Sequence, residues 1–144
     1  MLSDCMNIYR TTRKHAGFTM EQASELLFIG VRSLADYEAG RTIPGDDVVC
    51  KMIEVYGSTK LAYLHLKYST TVGMKYLPDI MIDDLPLSIV RFQKEYNDVT
   101  SVIDDMFQVV SDGKIDDEEV SKWKKVSKEI SDIASAAMSL MFVE

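Results

Sequence analysis

Two cysteines and two histidines are the residues of this chain best suited to bind a transition metal. They are Cys5, Cys50, His15 and His65, and no two of them have the Cys-x-x-Cys or His-x-x-x-His spacing that zinc sites commonly use. The chain also has no phosphate-binding loop, dinucleotide-binding glycine motif or catalytic-triad motif. We therefore expect core or boundary roles for these four side chains, no metal, no cofactor and no enzymatic activity.

A second candidate for metal binding is the acidic run from Asp112 to Glu119. With Gly113 at position six of a calcium-binding EF-hand loop, Glu119 falls at position twelve, where such loops place a glutamate. Position three, however, would be Val110, whose side chain has no oxygen to coordinate calcium. We therefore interpret the run as a metal-free turn in which Gly113 ends one helix, and Asp116 and Glu119 form the capping box of the next.

Charge divides the chain into two unlike halves. Of its 144 residues, 1–77 hold nine Lys and Arg against eight Asp and Glu, and the remainder holds seven against fifteen, which together give the net charge of −7. Such asymmetry indicates two modules with different roles. No apolar run approaches the ~20 residues that a membrane span needs, and two cysteines do not make a disulfide framework, so we expect a reducing cytoplasm and no membrane partner.

Residues 19–44 predict two short helices joined by a tight turn. Thr19 and Gln22 have the spacing of a capping box at the start of the first helix. The helical spacing of apolar residues is interrupted over residues 28–31 and then resumes. Gly40 can end the second helix in the left-handed conformation. Two apolar-striped helices joined in this way are typical of a helix-turn-helix, whose second helix lies in the major groove of DNA.

From about Ile8 to Leu66 the sequence resembles the lambda-repressor/Cro-like helix-turn-helix family, also called the XRE family. The residues that carry the resemblance, in family order, are Arg10 and Arg13, Gly17-Phe18-Thr19, Glu21, Ala23, Glu25-Leu26-Leu27, Leu34, Tyr37-Glu38, Gly40-Arg41 and Pro44. Met20, Phe28 and Gly30 depart from the pattern, and at the position of Met20 the family often has a glutamine that binds a DNA phosphate. The resemblance implies a compact five-helix DNA-binding domain, which we place at residues 1–70.

The resemblance also implies roles for individual side chains. Arg13 and Glu38 occupy positions that pair inside the domain and hold its first helix against its third. The positions expected to meet DNA are Met20, Val31, Arg32, Ser33, Ala35, Asp36, Arg41 and Thr42. Arg32 could donate two hydrogen bonds to guanine and Asp36 could accept one from cytosine, whereas the last two residues would contact phosphates. Alternatively, Arg32 and Asp36 form an i, i+4 ion pair on the helix surface.

An extended connector is predicted at residues 71–85, followed by a long antiparallel helical hairpin at 86–144. The apolar residues of the hairpin alternate in spacing between three and four; they are Ile89, Phe92, Tyr96, Val99, Ile103, Met106 and Val110 in the first arm, and Trp123, Val126, Ile130, Ile133, Ala137 and Leu140 in the second. Further apolar residues widen this face beyond what two helices can bury, which favours a homodimer or coiled coil. The expected interface residues are Phe92, Tyr96, Val99, Ile103, Trp123, Ile130, Ile133 and Leu140. Alternatively, the surplus packs on the first module of the same chain or receives a protein partner.

These observations predict an all-α protein of two modules. The expected function is sequence-specific regulation of transcription by a homodimer that binds double-stranded DNA, of prokaryotic or phage type. The alternative is a protein-interaction module or antitoxin-like protein that keeps the helix-turn-helix fold with weak or no DNA binding. Met20, Asp36 and the near-neutral first module motivate this alternative, since binding to phosphates needs a basic face. The residues that could supply one are Arg10, Lys14, Arg32 and Arg41.

Overall fold

The computed structural model describes residues 2–81, 84–109 and 112–143, and the side chains of residues 2–7 lie outside this description. The described residues form helices and no strands, which confirms the all-α fold class. The chain divides into two compact units, one ending at Leu77 and one beginning at Pro78. No described helix is both long enough and apolar enough to cross a membrane.

The first unit contains six helices among the described residues. They are α1 (Leu2–His15), α2 (Met20–Leu27), α3 (Val31–Glu38), α4 (Asp46–Tyr56), α5 (Lys60–Tyr68) and α6 (Thr71–Tyr76). Helix α1 packs on α3 and α5, α2 packs on α3 and α4, and α5 also packs on α4 and α6. The core between them is apolar, and its most deeply buried side chains include Tyr9, Ala23, Leu27, Leu34, Val49, Met52 and Leu61.

The predicted helix-turn-helix corresponds to α2, α3 and the turn between them. The Thr19 hydroxyl accepts a hydrogen bond from the Gln22 amide, and the Gln22 side chain accepts one from the Thr19 amide, so the capping box is present. Helix α2 ends at Phe28 in the left-handed conformation, with φ of 56°, which is strained for a bulky residue. The Phe28 ring is exposed, and Lys51 Nζ lies 5.0 Å from its centre, within cation–π range. The turn therefore has a left-handed residue at position 28 although this residue is not a glycine.

Residues 71–76 form helix α6, so the prediction of an extended connector over 71–85 was wrong for this part. The helix begins at a side-chain cap, since the Thr70 hydroxyl accepts a hydrogen bond from the Gly73 amide. A helix this short is not stable by itself and shows no apolar period, because most helical stability comes from tertiary packing. Residues 82 and 83 of the same segment lie outside the described residues.

Gly73 allows α6 to lie very close to α5. A Cβ atom at this position would be 2.2 Å from the carbonyl oxygen of Leu66 and 2.6 Å from that of Lys67. The buried Lys67 ammonium also donates to the carbonyl oxygen of Leu77, just beyond α6, at 2.6 Å. Contact with α5 therefore determines that this segment is helical.

The second unit is a helical hairpin. Its described helices are α7 (Leu85–Ser101), α8 (Ile103–Val109) and α9 (Val120–Met141), and both α7 and α8 pack on α9. The Asp84 carboxylate accepts a hydrogen bond from the Leu87 amide and caps α7, whose first turn contains Pro86. Lys122, early in α9, donates to Gln108, late in α8, at 2.8 Å. The two arms of the hairpin are therefore antiparallel.

The first arm is broken at Val102, where the sequence predicted one continuous helix reaching Val110, a residue outside the described part. The hydroxyls of Thr100 and Ser101 each donate to a main-chain carbonyl in the preceding turn, at 2.9 and 2.6 Å. Such bonds compete with the main-chain ladder and bend helices. The Val102 amide accordingly donates to the carbonyl of Val99, three residues back, at 3.0 Å. In a continuous α-helix it would donate to the carbonyl four residues back.

The side chains buried within the hairpin, with the exception of Val126, are offset from the predicted heptad seam. They are Ser88, Val102 and Val109 in the first arm and Val126, Ala136 and Ser139 in the second. In the first arm this seam lies one position before the predicted series at 89, 96, 103 and 110. Apolar spacing identifies a face of the helix, but it does not say which edge of a wide face meets the neighbouring helix. The eight predicted interface residues are half-buried or exposed.

Candidate nucleic-acid interface

In the first turn of helix α3, one side chain packs on the core and the other three are exposed. Leu34 is fully buried, whereas Val31, Arg32 and Ser33 are exposed. The helix begins after Gly30, which has extended φ and ψ angles and provides no side-chain cap. The first-turn side chains are therefore accessible to a ligand, as a base-reading helix requires.

Arg32 is the exposed cation at the start of α3. No described residue forms an ion pair or a hydrogen bond with its guanidinium group. All of its N–H donors are therefore available, and their planar arrangement matches the paired acceptors O6 and N7 of guanine.

Asp36 pairs with Arg41, and the alternative prediction of an Arg32–Asp36 ion pair was wrong. Arg41 Nε donates to Asp36 Oδ1 at 2.5 Å. This pairing depends on Gly40, which has φ of 67° and turns the chain back so that the Arg41 amide also bonds to the Asp36 carbonyl at 2.9 Å. The terminal nitrogens of Arg41 remain accessible, since its side chain is 62% exposed. Asp36 thus offsets part of the charge that Arg41 would bring to a phosphate.

Arg13 and Glu38 form a buried pair beneath the end of α3. Arg13 Nε and Nη2 donate to the two carboxylate oxygens of Glu38 at 2.6 and 2.9 Å, and Nη1 donates to the Phe18 carbonyl at 2.7 Å. Hydrogen bonding to Glu38 raises the pKa of Arg13 above its ordinary value, although burial alone would lower it. The pair links α1, the loop before α2 and α3, so removing one partner would leave a buried charge unpaired.

The remaining predicted contacts flank α3. Met20 is the first residue of α2 and is half-buried, Ala35 is half-buried, and Thr42 is exposed. Ile43 is 55% exposed in the same loop. Sequence reasoning did not single out Ile43, and only its apolar side chain in an otherwise polar loop could have indicated it.

The histidine and cysteine side chains considered for zinc do not gather in the described part of the chain. His65 is buried, with Nδ1 2.7 Å from the Tyr9 hydroxyl and Nε2 3.3 Å from Asp46 Oδ1. The others are His15 and Cys50, which are exposed, and Cys5, whose side chain lies outside the described part. His65 therefore joins α1, α4 and α5 as a core residue.

Three carboxylates in the second unit lie close enough together to bind one metal ion. The ligand atoms of Glu95, Glu129 and Asp132 lie within 4.8 Å of one another. Lys94 donates to Glu95 at 2.9 Å and Lys128 donates to Asp132 at 2.6 Å. Lysines of the hairpin therefore balance part of this negative charge.

The acidic turn before α9 uses its carboxylates for main-chain hydrogen bonds. Asp116 Oδ1 accepts bonds from the Glu118 and Glu119 amides at 3.0 Å, and Glu119 Oε2 accepts one from the Asp116 amide at 3.2 Å. These reciprocal bonds are those of the predicted capping box, but they close the turn before α9, which itself begins at Val120 without a side-chain cap. The sequence argument against calcium was based on Val110, which has no oxygen in its side chain. This residue lies outside the described part of the chain.

The geometry of the first unit defines a class of domain, a helix-turn-helix with an accessible second helix. Comparison with family models gives a match to a helix-turn-helix family over residues 10–64, which is under half of the chain. These residues form a lambda-repressor/Cro-like helix-turn-helix domain. Neither curated proteins nor solved structures gave a match to the chain. At the level of the family, the match supports a DNA-binding helix-turn-helix regulator.

Proposed function

We propose that this protein regulates transcription by sequence-specific binding to double-stranded DNA, as a regulator of prokaryotic or phage type. The observation that carries the proposal is Arg32, an exposed arginine without a partner among the described residues, in the first turn of α3. Arginine bound through two hydrogen bonds to guanine is the commonest specific contact in the major groove. Leu34 anchors the same turn to the core, so little ordering would accompany binding.

Contacts with phosphates would come from exposed groups near α3. Arg41 keeps its terminal nitrogens accessible, and Thr42 follows it directly. On α1, Arg10 and Lys14 are exposed and one helical turn apart. Each phosphate neutralised releases a counterion, so these cations would make the affinity depend on salt.

We also infer that the hairpin pairs with a second copy of the chain. Ile89, Tyr96 and Ile103 are seven residues apart and exposed. An α-helix drifts only ~20° in seven residues, so Ile89 and Tyr96 lie on the same side of α7. Ile103 continues this spacing at the start of α8, after the break at Val102, and we call the three side chains the stripe. The stripe is rotated by about 100° from the seam that meets α9, because each of its residues follows a seam position.

The border of the stripe favours a second copy over an oppositely charged partner. Gln93, Asn97 and Thr100 lie beside it and are polar without charge, and Gln93 donates to Asn97 at 3.2 Å. Two acidic hairpins could meet along such a border without placing carboxylates against each other. A dimer would place two α3 helices in successive major grooves, about one helical turn or ~34 Å apart.

The second candidate is a protein-interaction or antitoxin-like role with weak or no DNA binding. The ion pair between Asp36 and Arg41 favours it, because the pair offsets a cation next to the predicted reading helix. Met20 also lacks the hydrogen-bonding amide that this position often has in the family. In this case the hairpin would hold a different protein, and α3 would contribute only to the fold.

Selection of bound sequences from random duplexes separates the two candidates. A dimeric regulator should enrich a palindrome with half-sites about 10 base pairs apart, and fluorescence anisotropy should then show tighter binding to this duplex than to a scrambled one. Failure to enrich any sequence, together with affinities no better than tens of micromolar for both duplexes at low salt, would reject the DNA-binding proposal.

A further inference from the structure

A cleft of about 270 Å³ in the first unit lies beside the loop that follows α3. We call it the tyrosine cleft, and the lining residues that matter here are Tyr9, Tyr37, Ile43, Tyr68, Thr71 and Met74. They come from α1, α3, the loop after α3, α5 and α6. None of the ten lining residues is charged, in a chain in which 27% of all residues are charged.

The apolar groups of the cleft suit an aromatic ring. The half-buried rings of Tyr37 and Tyr68 offer surface for stacked or tilted contacts, whereas Tyr9 is almost fully buried and offers little. The Met74 thioether is adaptable and packs well against aromatic rings. Ile43, which is largely exposed at the rim, would lose contact with water on binding. Small-molecule sites are usually lined in this way, with a few polar groups that orient the ligand.

The polar groups of the cleft are hydroxyls, and some of them are available. The side chains of Tyr37 and Thr71 have no hydrogen-bond partner within the described part of the chain, whereas the Tyr9 hydroxyl is bound to His65 Nδ1 at 2.7 Å. A charged ligand would lose hydration here without meeting an opposite charge. A neutral ligand with one hydrogen-bonding group loses little hydration, and a free hydroxyl of the cleft can bond to that group.

We propose that the tyrosine cleft binds a small neutral aromatic molecule that carries a hydrogen-bonding group, of the phenol or indole type. The volume lies just below the usual range of ligand pockets, which is about 300–1,000 Å³. It therefore suits a single ring system and excludes a nucleotide, whose phosphates would also be unpaired.

Occupancy of the cleft should change DNA binding. Gly40, Thr42 and Ile43 line it, and Arg41 lies within the same loop. A ligand that prefers one arrangement of this loop changes DNA affinity by its differential affinity for the two arrangements. This regulatory part rests on the proposed function, whereas ligand binding itself is measured without DNA.

The test is a titration of the full-length, ¹⁵N-labelled chain with indole, followed by NMR. Saturable shifts of the amides of residues 37–43 and 68–74 are expected, and the anionic analogue indole-3-carboxylate should give none. Absence of saturable shifts up to millimolar indole, or shifts confined to the hairpin, would overturn the proposal.

Two matched variants locate the site. Ile43→Glu places a carboxylate at the rim and should weaken indole binding about tenfold or more, whereas Val72→Glu, on an exposed α6 residue outside the lining, should leave it unchanged. Equal effects of the two variants would overturn the assignment. If indole binds in the cleft but leaves the affinity for the selected duplex unchanged, the regulatory part is overturned and the binding site stands.

Discussion

At the scale of single residues, the partners of the two arginines around α3 distinguish their roles. Arg32 is unpaired among the described residues, whereas Arg41 donates to Asp36. An unpaired arginine at the start of the helix can follow the donor and acceptor pattern of a base pair. An arginine held through Nε can still use its terminal nitrogens, which suit a phosphate that carries no sequence information.

Substitution of the two arginines should therefore have different consequences. Arg32→Ala should cost about 1–3 kcal/mol on the selected duplex and relax preference at one base pair. Arg41→Ala should weaken selected and scrambled duplexes alike and reduce the salt slope by about one. Anisotropy at several salt concentrations measures both effects, and unchanged melting temperatures would show that the domain still folds. Equal losses on both duplexes for Arg32→Ala would contradict its role in reading bases.

Tyr56 provides a prediction about pH. Its hydroxyl is buried without a hydrogen-bond partner among the described residues. Burial, helped by the nearby Glu38 carboxylate, raises the pKa of Tyr56 from 10.0 to about 12. Between these values the unfolded chain loses this proton first, so the stability contributed by the neutral phenol is complete below pH 10 and is lost as the pH rises towards 12.

Tyr56→Phe should therefore make unfolding less sensitive to alkali. At pH 7 the variant should be about as stable as the wild type or slightly more so, because it removes an unsatisfied buried group. Urea unfolding followed by circular dichroism at pH 7 and pH 11 measures the difference, with the exposed Tyr76→Phe as control. The same loss of stability between the two pH values in wild type and Tyr56→Phe would refute the prediction.

At the scale of elements, α6 shows how contact determines secondary structure. Its six residues include a glycine, and its main support is the close approach to α5 at Gly73. Helix propensity alone would favour alanine over glycine at this position by about 1 kcal/mol. Packing argues in the opposite direction, since a Cβ atom would overlap the main chain of α5.

Gly73→Ala should therefore destabilise the first unit by about 1–3 kcal/mol, as overpacking does elsewhere. Hydrogen exchange should show lower protection of the α6 amides. Val72→Ala, on the exposed neighbouring residue, is the control and should change little. A gain in stability for Gly73→Ala would mean that propensity outweighs the close contact.

At the scale of the whole molecule, charge and apolar surface are distributed between the two units. The first half is near neutral and contains the helix-turn-helix, whereas the second half carries an excess of eight negative charges, fifteen against seven. The apolar stripe on the hairpin interrupts this acidic surface. An acidic unit that self-associates would supply two DNA-binding units without binding DNA itself, since its carboxylates oppose contact with phosphates.

Introducing one charged side chain into the stripe tests whether the stripe is a dimer interface. Tyr96 is 53% exposed, so Tyr96→Glu should leave the hairpin folded, convert a dimer into a monomer and weaken binding to a duplex with two half-sites. Val90→Glu is the control, because Val90 is also exposed but lies about 100° around the helix from Ile89. Sedimentation at tens of micromolar measures the mass, and a wild-type chain that is monomeric there would exclude dimerisation through the stripe.

The sequence by itself determined the features that depend on neighbours along the chain. The capping box of Thr19 and Gln22, the helix-turn-helix and the all-α class follow from local hydrogen bonding and apolar period. The Arg13–Glu38 pair followed from resemblance to a family and not from spacing.

Only the tertiary structure decided the features that depend on residues brought together by folding. Helix α6 is helical because it packs closely on α5 at Gly73. The tyrosine cleft is lined by residues of α1, α3, α5, α6 and the loop after α3. The edge of the first hairpin arm that meets α9 differs from the predicted seam by one residue. Periodicity describes one helix at a time, whereas these features depend on the distance and direction of a second element.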